Sequence, residues 1–299
     1  MTESAPDAGF RCGHVAIVGR PNVGKSTLLN RLVGEKVSIT SKKAQTTRHR
    51  ITGIRTTAEA QFIFVDTPGF QTRHRSRLNE RMNRAVTQSL ADVDAVVLVI
   101  EAGRTVAADR AVIALLPPGA GAVVALNKVD ELREKDVLLP QMAELAGIRD
   151  FAAIVPVSAA TGLDIDPLRA EIQKLLPPSP PLFGADEITD RDERFLAAEL
   201  VREKIFRLLG DEVPYATTVV VEGFKLEGDL RRIQATVYVE RDNQVGILVG
   251  AGGDKMKEIA ASARTDMERL FGGKVFLEVW VRVKKGWADS EASLKRLGY

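Results

Sequence analysis

The chain has 299 residues, of which 45% are hydrophobic and 27% charged, so it is long enough for two ordinary globular domains. Its 42 Lys and Arg against 40 Asp and Glu give a net charge of +2, too small to indicate nucleic acid, a membrane or an acidic ligand by itself. The single cysteine, Cys12, excludes an intrachain disulfide framework and a cysteine metal site, as expected in a reducing cytoplasm. Residues 1–13 contain Glu3 and Asp7 and no apolar stretch, so we do not expect them to act as a signal peptide, and no apolar run approaches the ~20 residues of a transmembrane helix.

Residues 14–176 alternate short Val- and Ile-rich runs with longer helical patterns, which is typical of β-α units around a mostly parallel sheet. The second and third strands are too close in sequence for a helical crossover, so they are predicted to form an antiparallel hairpin at one edge. The predicted strands are 14–18, 51–57, 61–65, 95–100, 122–126 and 152–157. The predicted helices are 25–33, 77–90, 106–116, 133–146 and 165–176.

A proline-rich stretch at 177–185 cannot continue a helix and is predicted to be a semi-rigid linker. It separates a first domain (14–176), which follows a flexible N-terminus (1–13), from a second domain (186–299). The second domain has the order α-β-β-α-α-β, an α+β arrangement. Its predicted elements are a helix at 192–209, strands at 215–224 and 230–240, a helical turn at 245–249, a helix at 254–271 and a strand at 274–284.

The segment Gly19–Thr27 has the spacing G-x-x-x-x-G-K-S between the first predicted strand and the first predicted helix. Such a loop wraps backbone N–H groups around a polyphosphate at a helix N-terminus. Lys25 is expected to reach the outer phosphates and the Ser26 hydroxyl to face Mg²⁺. The nucleotide-binding residues predicted here are Gly19, Asn22, Val23, Gly24, Lys25, Ser26 and Thr27.

Asp66-Thr67-Pro68-Gly69 follows the third predicted strand, so the Asp66 carboxylate is expected to point toward the phosphate loop. There Asp66 can hold Mg²⁺ through a water molecule, and the Gly69 N–H can bind a γ-phosphate.

Asn127-Lys128-Val129-Asp130 follows the fifth predicted strand and indicates guanine. Asp130 can accept from N1–H and from the N2 amino group of guanine, whereas adenine offers neither donor. Asn127 is expected to brace the loop and contact N7, and the Lys128 stem to cover one face of the base. Ser158, Ala159 and Ala160 follow the sixth strand, where the Ala159 N–H can reach guanine O6; a simple small-residue turn is the alternative.

All four motifs lie at the C-terminal ends of predicted strands, where open α/β sheets bind ligands. The set resembles translation-factor-class GTPases with a P-loop α/β domain. The resemblance implies binding of GTP and GDP with Mg²⁺, a first switch within residues 40–48, and a threonine ligand for Mg²⁺. We assign that threonine to Thr47. Thr46 is the competing choice, since sequence spacing cannot separate the two. Lys25, Thr47 and Gly69 are then the catalytic residues, and Ser26, Thr47 and Asp66 the metal-binding residues.

Many GTPases place a glutamine directly after the glycine of the Asp66 motif, but this chain has Phe70 there, with Gln71 next. Phe70 cannot orient water, so we expect slow intrinsic hydrolysis of GTP to GDP and phosphate, raised by a partner or a monovalent cation. Asn22 resembles the asparagine that binds K⁺ in some related GTPases; an Asx-type turn after Pro21 is the preferred alternative.

A G-x-x-G sequence, Gly250–Gly253, separates two helical patterns in the second domain. Glycines let a nucleic-acid backbone approach closely, and with the α-β-β-α-α-β order the loop indicates a KH-type RNA-binding domain of type II. Residues 182–299 carry 19 Lys and Arg against 21 Asp and Glu, so any attraction for RNA must be local. The predicted RNA-binding residues are Gly250, Ala251, Gly252, Gly253, Lys255, Lys257, Lys284 and Lys285.

A GTPase domain with Phe70, a proline linker and a KH domain ending in 279–289 resembles the Era-type GTPases of bacteria, as does the segment 45–50. The resemblance implies binding of the 3′ region of 16S rRNA and a role in assembly of the small (30S) ribosomal subunit. It also implies a cytoplasmic location, with peripheral association at the inner membrane surface left open. Two alternatives are an RNA-binding scaffold in which nucleotide is a structural ligand, and a signalling GTPase whose second domain binds protein or a membrane surface.

Overall fold

The computed structural model describes residues 9–41, 43, 46–69, 77–210 and 213–297. The chain divides into two compact units. The first comprises Met1–Ser38, Thr47–Arg73 and Arg81–Asp190, and the second comprises Ile39–Thr46, His74–Glu80 and Arg191–Tyr299.

The first unit contains a six-stranded sheet of order β2-β3-β1-β4-β5-β6. Its strands are β1 (Arg11–Val18), β2 (Ile51–Thr56), β3 (Ala60–Asp66), β4 (Ala95–Glu101), β5 (Ala122–Asn127) and β6 (Ala153–Val157). β2 and β3 are antiparallel and the remaining pairs parallel, which confirms the predicted edge hairpin. β1 begins earlier than predicted because Arg11–Gly13 continue the parallel pairing with Ala60–Phe62.

Within the part of the chain that the structure describes, five helices cover this sheet: α1 (Lys25–Val33), α2 (Arg77–Ala91), α3 (Ala107–Ile113), α4 (Leu138–Ile148) and α5 (Ile165–Leu175). Side chains of α2, α3 and α4 pack into one core with β1, β4 and β5, while α1 and α5 contact the sheet and each other. The central strands are buried along nearly their whole length, as a parallel sheet covered on both faces requires. α4 begins at Leu138 rather than at residue 133 because Pro140 is tolerated only in a first helical turn.

The predicted linker is bound to the first unit. Cys12 N–H donates to the Pro177 carbonyl (3.2 Å), and the buried Gln61 side chain accepts from the N–H groups of Leu182 (2.7 Å) and Phe183 (2.9 Å). The Thr189 hydroxyl then donates to the Thr52 carbonyl (2.6 Å). The first unit therefore extends to Asp190, beyond the predicted linker.

The second unit is built on a three-stranded sheet of order β7-β8-β9. Its elements are α6 (Glu193–Leu208), β7 (Thr218–Glu227), β8 (Leu230–Val239), α7 (Asp242–Val249), α8 (Asp254–Phe271), β9 (Lys274–Val283) and the short α9 (Glu291–Arg296). β7 and β8 are antiparallel, and β8 and β9 are parallel. The predicted α-β-β-α-α-β order is confirmed, and α9 is an element that the sequence did not indicate.

One face of this sheet and helices α6 and α8 enclose the core of the second unit. Alternate residues of β8 (Ile233, Ala235, Val237, Val239) are buried against Ile259, Ala263 and Met267 of α8. Trp287 is fully buried and its Nε1–H donates to the Ala216 carbonyl (3.0 Å), so its ring packs inside the protein and is not available to stack on a base.

Candidate functional site

The phosphate loop leaves the C-terminal end of β1 and enters α1, as predicted. Asn22 and Gly24 both have left-handed backbones (φ 66° and 98°), so the loop turns sharply just before the helix N-terminus. A Cβ on Gly24 would lie 2.3 Å from Nδ2 of Asn127, which shows that the loop needs a residue without a side chain here.

Lys25, the first residue of α1, is buried, and its Nζ donates to the Arg20 carbonyl (3.0 Å) across the loop. Burial lowers the pKa of Lys25 from 10.5 to about 8, while Asp66 acts in the opposite direction and Arg20 lowers it further. The ammonium is therefore held in the concave side of the loop, where an anion would stabilise its charged form.

Three hydroxyl groups surround one carboxylate oxygen at the end of β3. Oδ2 of the fully buried Asp66 accepts from Ser26 (2.7 Å), Ser38 (3.1 Å) and Thr47 (3.3 Å). The hydroxyls of Ser26 and Thr47 are themselves 2.7 Å apart. The fold thus brings together the three predicted metal-binding residues.

The donor set at Asp66 fits Mg²⁺, which prefers carboxylate and hydroxyl oxygens. Among the described residues, Asp66 Oδ1 is buried and has no hydrogen-bond partner. Burial raises the pKa of Asp66, while Lys25 and the hydroxyl groups of Ser26, Ser38 and Thr47 lower it. A divalent cation held by Ser26, Thr47 and Asp66 would satisfy that oxygen and stabilise the carboxylate.

Asn30 and Ser38, which the sequence did not indicate, also shape this cluster. Asn30 of α1 accepts from the N–H groups of Val37 (3.0 Å) and Ser38 (2.9 Å) and donates to the Ser38 carbonyl (2.7 Å). It thereby places the Ser38 hydroxyl on Asp66. The helical pattern of α1 gave no signal for this role, because the partners of Asn30 lie seven and eight residues away in a loop.

Gly69 passes close to the phosphate loop, since a Cβ there would lie 3.0 Å from Cα of Pro21. Its N–H is thus near the loop that is expected to hold the γ-phosphate. Phe70 and Gln71, on which the expectation of slow hydrolysis depends, lie outside the described residues.

Asn127, the last residue of β5, joins two loops of the site. Its Nδ2 donates to the Val23 carbonyl in the phosphate loop (2.8 Å), and its Oδ1 accepts from the Ala159 N–H (2.9 Å). The predicted bracing role is observed, but the Ala159 N–H, predicted to reach guanine O6, donates to Asn127 in this structure.

Arg31 of α1 holds the Ser158–Ala160 loop in place through its backbone carbonyls. Arg31 donates to the carbonyls of Ala159 (2.9 Å) and Ala160 (2.6 Å), and the buried Ser158 hydroxyl accepts from the Thr161 N–H (3.1 Å). The sequence did not indicate Arg31, which lies 128 residues from Ala159. The loop is therefore fixed both by Asn127 at the end of β5 and by Arg31 of α1.

Lys128 precedes a short 3₁₀ turn (Val129–Glu131) after β5, and Asp130 is the middle residue of that turn. Lys128 has a left-handed backbone (φ 73°), and its Nζ lies 3.6 Å from Glu101 and 3.8 Å from Glu131. The Asp130 side chain is exposed. A charged carboxylate at the mouth of the site is available for two donors of a bound base, which is what guanine recognition requires.

The G-x-x-G loop of the second unit has three glycines with left-handed backbones: Gly250 (φ 74°), Gly252 (φ 58°) and Gly253 (φ 84°). A Cβ on Gly250 would lie 2.7 Å from Cβ of Lys255, whereas Gly252 and Gly253 face open space. Ala251 and Gly252 are exposed ahead of the N-terminus of α8, so a phosphate backbone has room to approach.

The four predicted RNA-binding lysines belong to two parts of the second unit, the start of α8 and the end of β9. Lys255 and Lys257 begin α8 and pair with Glu258 (2.8 Å) and Asp254 (3.3 Å). Lys284 lies over the ring of Tyr238 (5.5 Å), whose side chain points away from the core of the sheet. Lys285 is exposed beside it.

The described residues contain no group of three or more His, Cys, Asp and Glu residues that could hold a metal. No helix among them is long and apolar enough to cross a membrane.

A phosphate loop, a buried magnesium-type cluster, a guanine-type base loop and a G-x-x-G module define the class: a P-loop GTPase followed by a KH domain. Family models agree, since residues 14–128 match the family described as 50S ribosome-binding GTPase and residues 212–288 match the KH domain family. The fold class predicted from the sequence is confirmed.

Relatives that match this chain over nearly its whole length are known. The GTPase Era of Nitrosomonas eutropha is 56% identical and that of Chromobacterium violaceum 53%, each match covering 98% of this chain and 99% of the relative. Two Era crystal structures, one of an Aquifex aeolicus variant bound to GDP·AlF4⁻ and one with MgGDPNP and nucleotides 1506–1542 of 16S ribosomal RNA, each match with a TM-score of 0.93 at 38% identity. Each covers 97% of this chain and 99% of the solved one. The chain belongs to the Era family of GTPases.

Proposed function

We propose that this chain is a GTP-dependent RNA switch that acts in assembly of the 30S ribosomal subunit through the 3′ region of 16S rRNA. Support comes from the Era structure that holds both a GTP analogue with Mg²⁺ and nucleotides 1506–1542 of 16S rRNA. The observation in this chain that carries the proposal is the convergence of Ser26, Thr47 and Asp66, because it ties a switch residue to the nucleotide site.

In hydrolysis, charge grows on the oxygens of the transferred phosphoryl group, so the enzyme must supply donors and positive charge there. Lys25 and the backbone N–H groups of the phosphate loop provide fixed donors, and Gly69 adds one from the neighbouring loop. Mg²⁺, when bound, supplies further charge neutralisation between the outer phosphates. Ser26, Thr47 and Asp66 would hold it.

The geometry supports Thr47 over Thr46 as the switch threonine. The Thr47 hydroxyl points at Ser26 and Asp66, whereas the Thr46 hydroxyl donates to the Lys43 carbonyl (2.7 Å). With its hydroxyl committed to the Lys43 carbonyl, Thr46 is not directed at the Asp66 cluster.

Guanine specificity rests on Asp130, with Asn127 and Lys128 framing the base and the Ser158–Ala160 loop closing the site. Ala159 and Ala160 remain predicted contacts of the nucleotide. Potassium dependence through Asn22 also remains a prediction, and the left-handed backbone at Asn22 is equally compatible with an Asx-type turn. Equal hydrolysis rates in K⁺ and Na⁺ would rule the potassium site out.

The RNA contacts proposed for the second unit are the G-x-x-G loop with Lys255 and Lys257, joined by Lys284 and Lys285 at the end of β9. The domain organisation proposed from the sequence is kept as a GTP-binding domain, a proline-rich segment and a KH domain, with the first compact unit continuing to Asp190. Association with the inner membrane surface stays a prediction from the family resemblance.

The proposal is tested by measuring affinity for an RNA of nucleotides 1506–1542 in the presence of GDPNP, of GDP and without nucleotide. We expect the GDPNP complex to bind at least several-fold more tightly; equal affinity in all three states would refute the switch. Ala251→Asp places a negative charge in the G-x-x-G loop and should weaken binding about tenfold. Ala261→Asp adds the same charge at an exposed position on α8 and should leave affinity unchanged.

The RNA measurement also decides between this function and the two alternatives. A scaffold that uses nucleotide only as a structural ligand predicts no stimulation of single-turnover hydrolysis by the RNA. A signalling GTPase whose second domain binds protein or membrane predicts no RNA crosslinks within residues 245–285.

A further inference from the structure

The segment Ile39–Thr46, which we call the strap and of which the structure describes residues 39–41, 43 and 46, belongs to the second compact unit although it lies within the GTPase sequence. The residues on either side of the strap, Ser38 and Thr47, belong to the first unit, and both donate to Asp66 Oδ2 (3.1 and 3.3 Å). The strap thus begins and ends at the metal cluster. Whatever holds the strap also limits where the Thr47 hydroxyl can go.

Two side chains of α6 bind all three polar groups of Thr40 in the strap. Glu203 Oε1 accepts from the Thr40 N–H (2.9 Å) and hydroxyl (3.3 Å). One turn later, Arg207 donates to the Thr40 carbonyl (3.0 Å) and hydroxyl (2.6 Å) and pairs with Glu203 (3.0 Å). The hydroxyl therefore donates to the acid and accepts from the base, so the two contacts reinforce each other.

A third contact fixes the strap at the end of the same helix. Lys43 Nζ donates to the carbonyls of Leu209 and Gly210, the latter at 3.0 Å. The last carbonyls of a helix lack partners within the helix and carry its negative dipole end, so an ammonium group is favourable there. The strap is anchored at two points about one turn apart.

Glu203 is fully buried, and a buried carboxylate is costly unless donors surround it. Besides Arg207, it is accompanied by Lys204, whose Nζ lies 3.5 Å from Glu203 Oε2. Moving the strap away removes two of the donors to Glu203 Oε1. The anchored position of the strap is therefore favoured, and it is the position in which Thr47 reaches Ser26 and Asp66.

We propose that Glu203 and Arg207, in the RNA-binding part of the chain, are positioning residues for GTP binding and hydrolysis, because they hold the strap so that Thr47 is presented to Mg²⁺·GTP. This inference rests on the proposed role of Thr47 as the switch threonine. It assigns to α6 the contact through which the two activities communicate.

The test uses Arg207→Ala in the full-length protein, because this side chain is 45% exposed and its loss should not prevent folding. With its two bonds to Thr40 removed, affinity for GDPNP in Mg²⁺ should fall about fivefold, and single-turnover hydrolysis should fall by a similar factor. GDP affinity should stay within about twofold, because GDP has no γ-phosphate for the switch threonine to support.

Arg232→Ala is the matched control, because Arg232 is also an exposed arginine of the second unit (48%) with one acidic partner, Glu227 at 2.6 Å. It should change neither nucleotide affinity. Thr40→Val and Thr40→Ser form a second pair: the isosteric valine should reproduce the loss and the serine should restore wild-type affinity. The inference is wrong if Arg207→Ala matches Arg232→Ala, or if GDP and GDPNP affinities fall equally, which indicates a general structural effect.

The same variants separate this inference from the proposed function. If wild-type RNA affinity is unaffected by nucleotide, the proposed switch fails whatever Arg207→Ala does to GDPNP binding. If the switch holds, Arg207→Ala should reduce the ratio of RNA affinities between the GDPNP and GDP states, by the reciprocity of coupled binding. An unchanged ratio would overturn the communicating role of α6.

Discussion

Replacing Asn127 by alanine removes the side chain that links the phosphate loop to the Ser158–Ala160 loop. The variant leaves the Val23 carbonyl without its donor and the Ala159 N–H without its acceptor. Asn127 is buried, so neither orphaned group lies in open solvent. We expect a loss of stability in the first unit and, separately, a loss of nucleotide affinity.

Each unsatisfied buried group costs about 1–3 kcal/mol, so the two together cost about 2–6 kcal/mol. Water can reach the loops when no nucleotide is bound, so we expect the lower part of that range, about 2–3 kcal/mol. Nucleotide affinity should fall for GDP and GDPNP alike, because the loops contact the base and the inner phosphates in both.

The positions of the tryptophans allow unfolding of the two units to be followed separately by spectroscopy. Both tryptophans, Trp280 and Trp287, lie in the second unit, so tryptophan fluorescence follows unfolding of that unit alone. Far-UV circular dichroism follows both units. Urea unfolding of Asn127→Ala without nucleotide should lower the midpoint of the transition seen only by circular dichroism and leave the fluorescence transition in place.

Gln141→Ala is the matched control for Asn127→Ala. Gln141 is also buried in the first unit and also makes one accepted and one donated bond to backbone, with Gly103 N–H (2.8 Å) and the Glu101 carbonyl (3.1 Å). It should cost similar stability without the loss of nucleotide affinity. The reasoning is refuted if Asn127→Ala leaves the nucleotide-free first unit as stable as wild type, or if both variants weaken nucleotide binding equally.

Three further changes have defined outcomes. Gly24→Ala should abolish GDP binding in an equilibrium titration, because φ is 98° and the new Cβ would lie 2.3 Å from Asn127 Nδ2; binding at wild-type affinity would contradict this. Burial raises the pKa of Asp66 in the folded protein, so the metal- and nucleotide-free protein loses stability as pH rises through that pKa. Asp66→Asn has no such loss, and its stability relative to wild type should therefore increase above pH ~4. A difference in urea midpoints that does not change with pH would refute this. Trp287→Phe removes a buried ring and its bond to Ala216, so the second unit should lose about 1–3 kcal/mol by circular dichroism while GDP affinity is unchanged; equal destabilisation of both units would count against it.

Much of the fold was predictable from local patterns. The predicted strands all exist, the hairpin of β2 and β3 lies at the sheet edge, and the α-β-β-α-α-β order of the second unit is observed. The patterns were less reliable at ends, where a single residue such as Pro140 sets the start of α4. The predicted linker was less separate than its prolines indicated, because buried Gln61 binds it from another strand.

The amino-acid sequence by itself predicted the chemistry proposed for this protein: a phosphate loop, an acidic residue for Mg²⁺, a carboxylate for guanine and a glycine loop for RNA. Each of these is a short motif whose spacing acts through the local backbone, so it can be read without the fold. Only the tertiary structure brought Ser38 and Thr47 to one oxygen of Asp66, Asn127 between two loops, and Thr40 onto α6. These contacts join residues 19 to 163 positions apart through sheet register and helix packing, which local spacing does not encode.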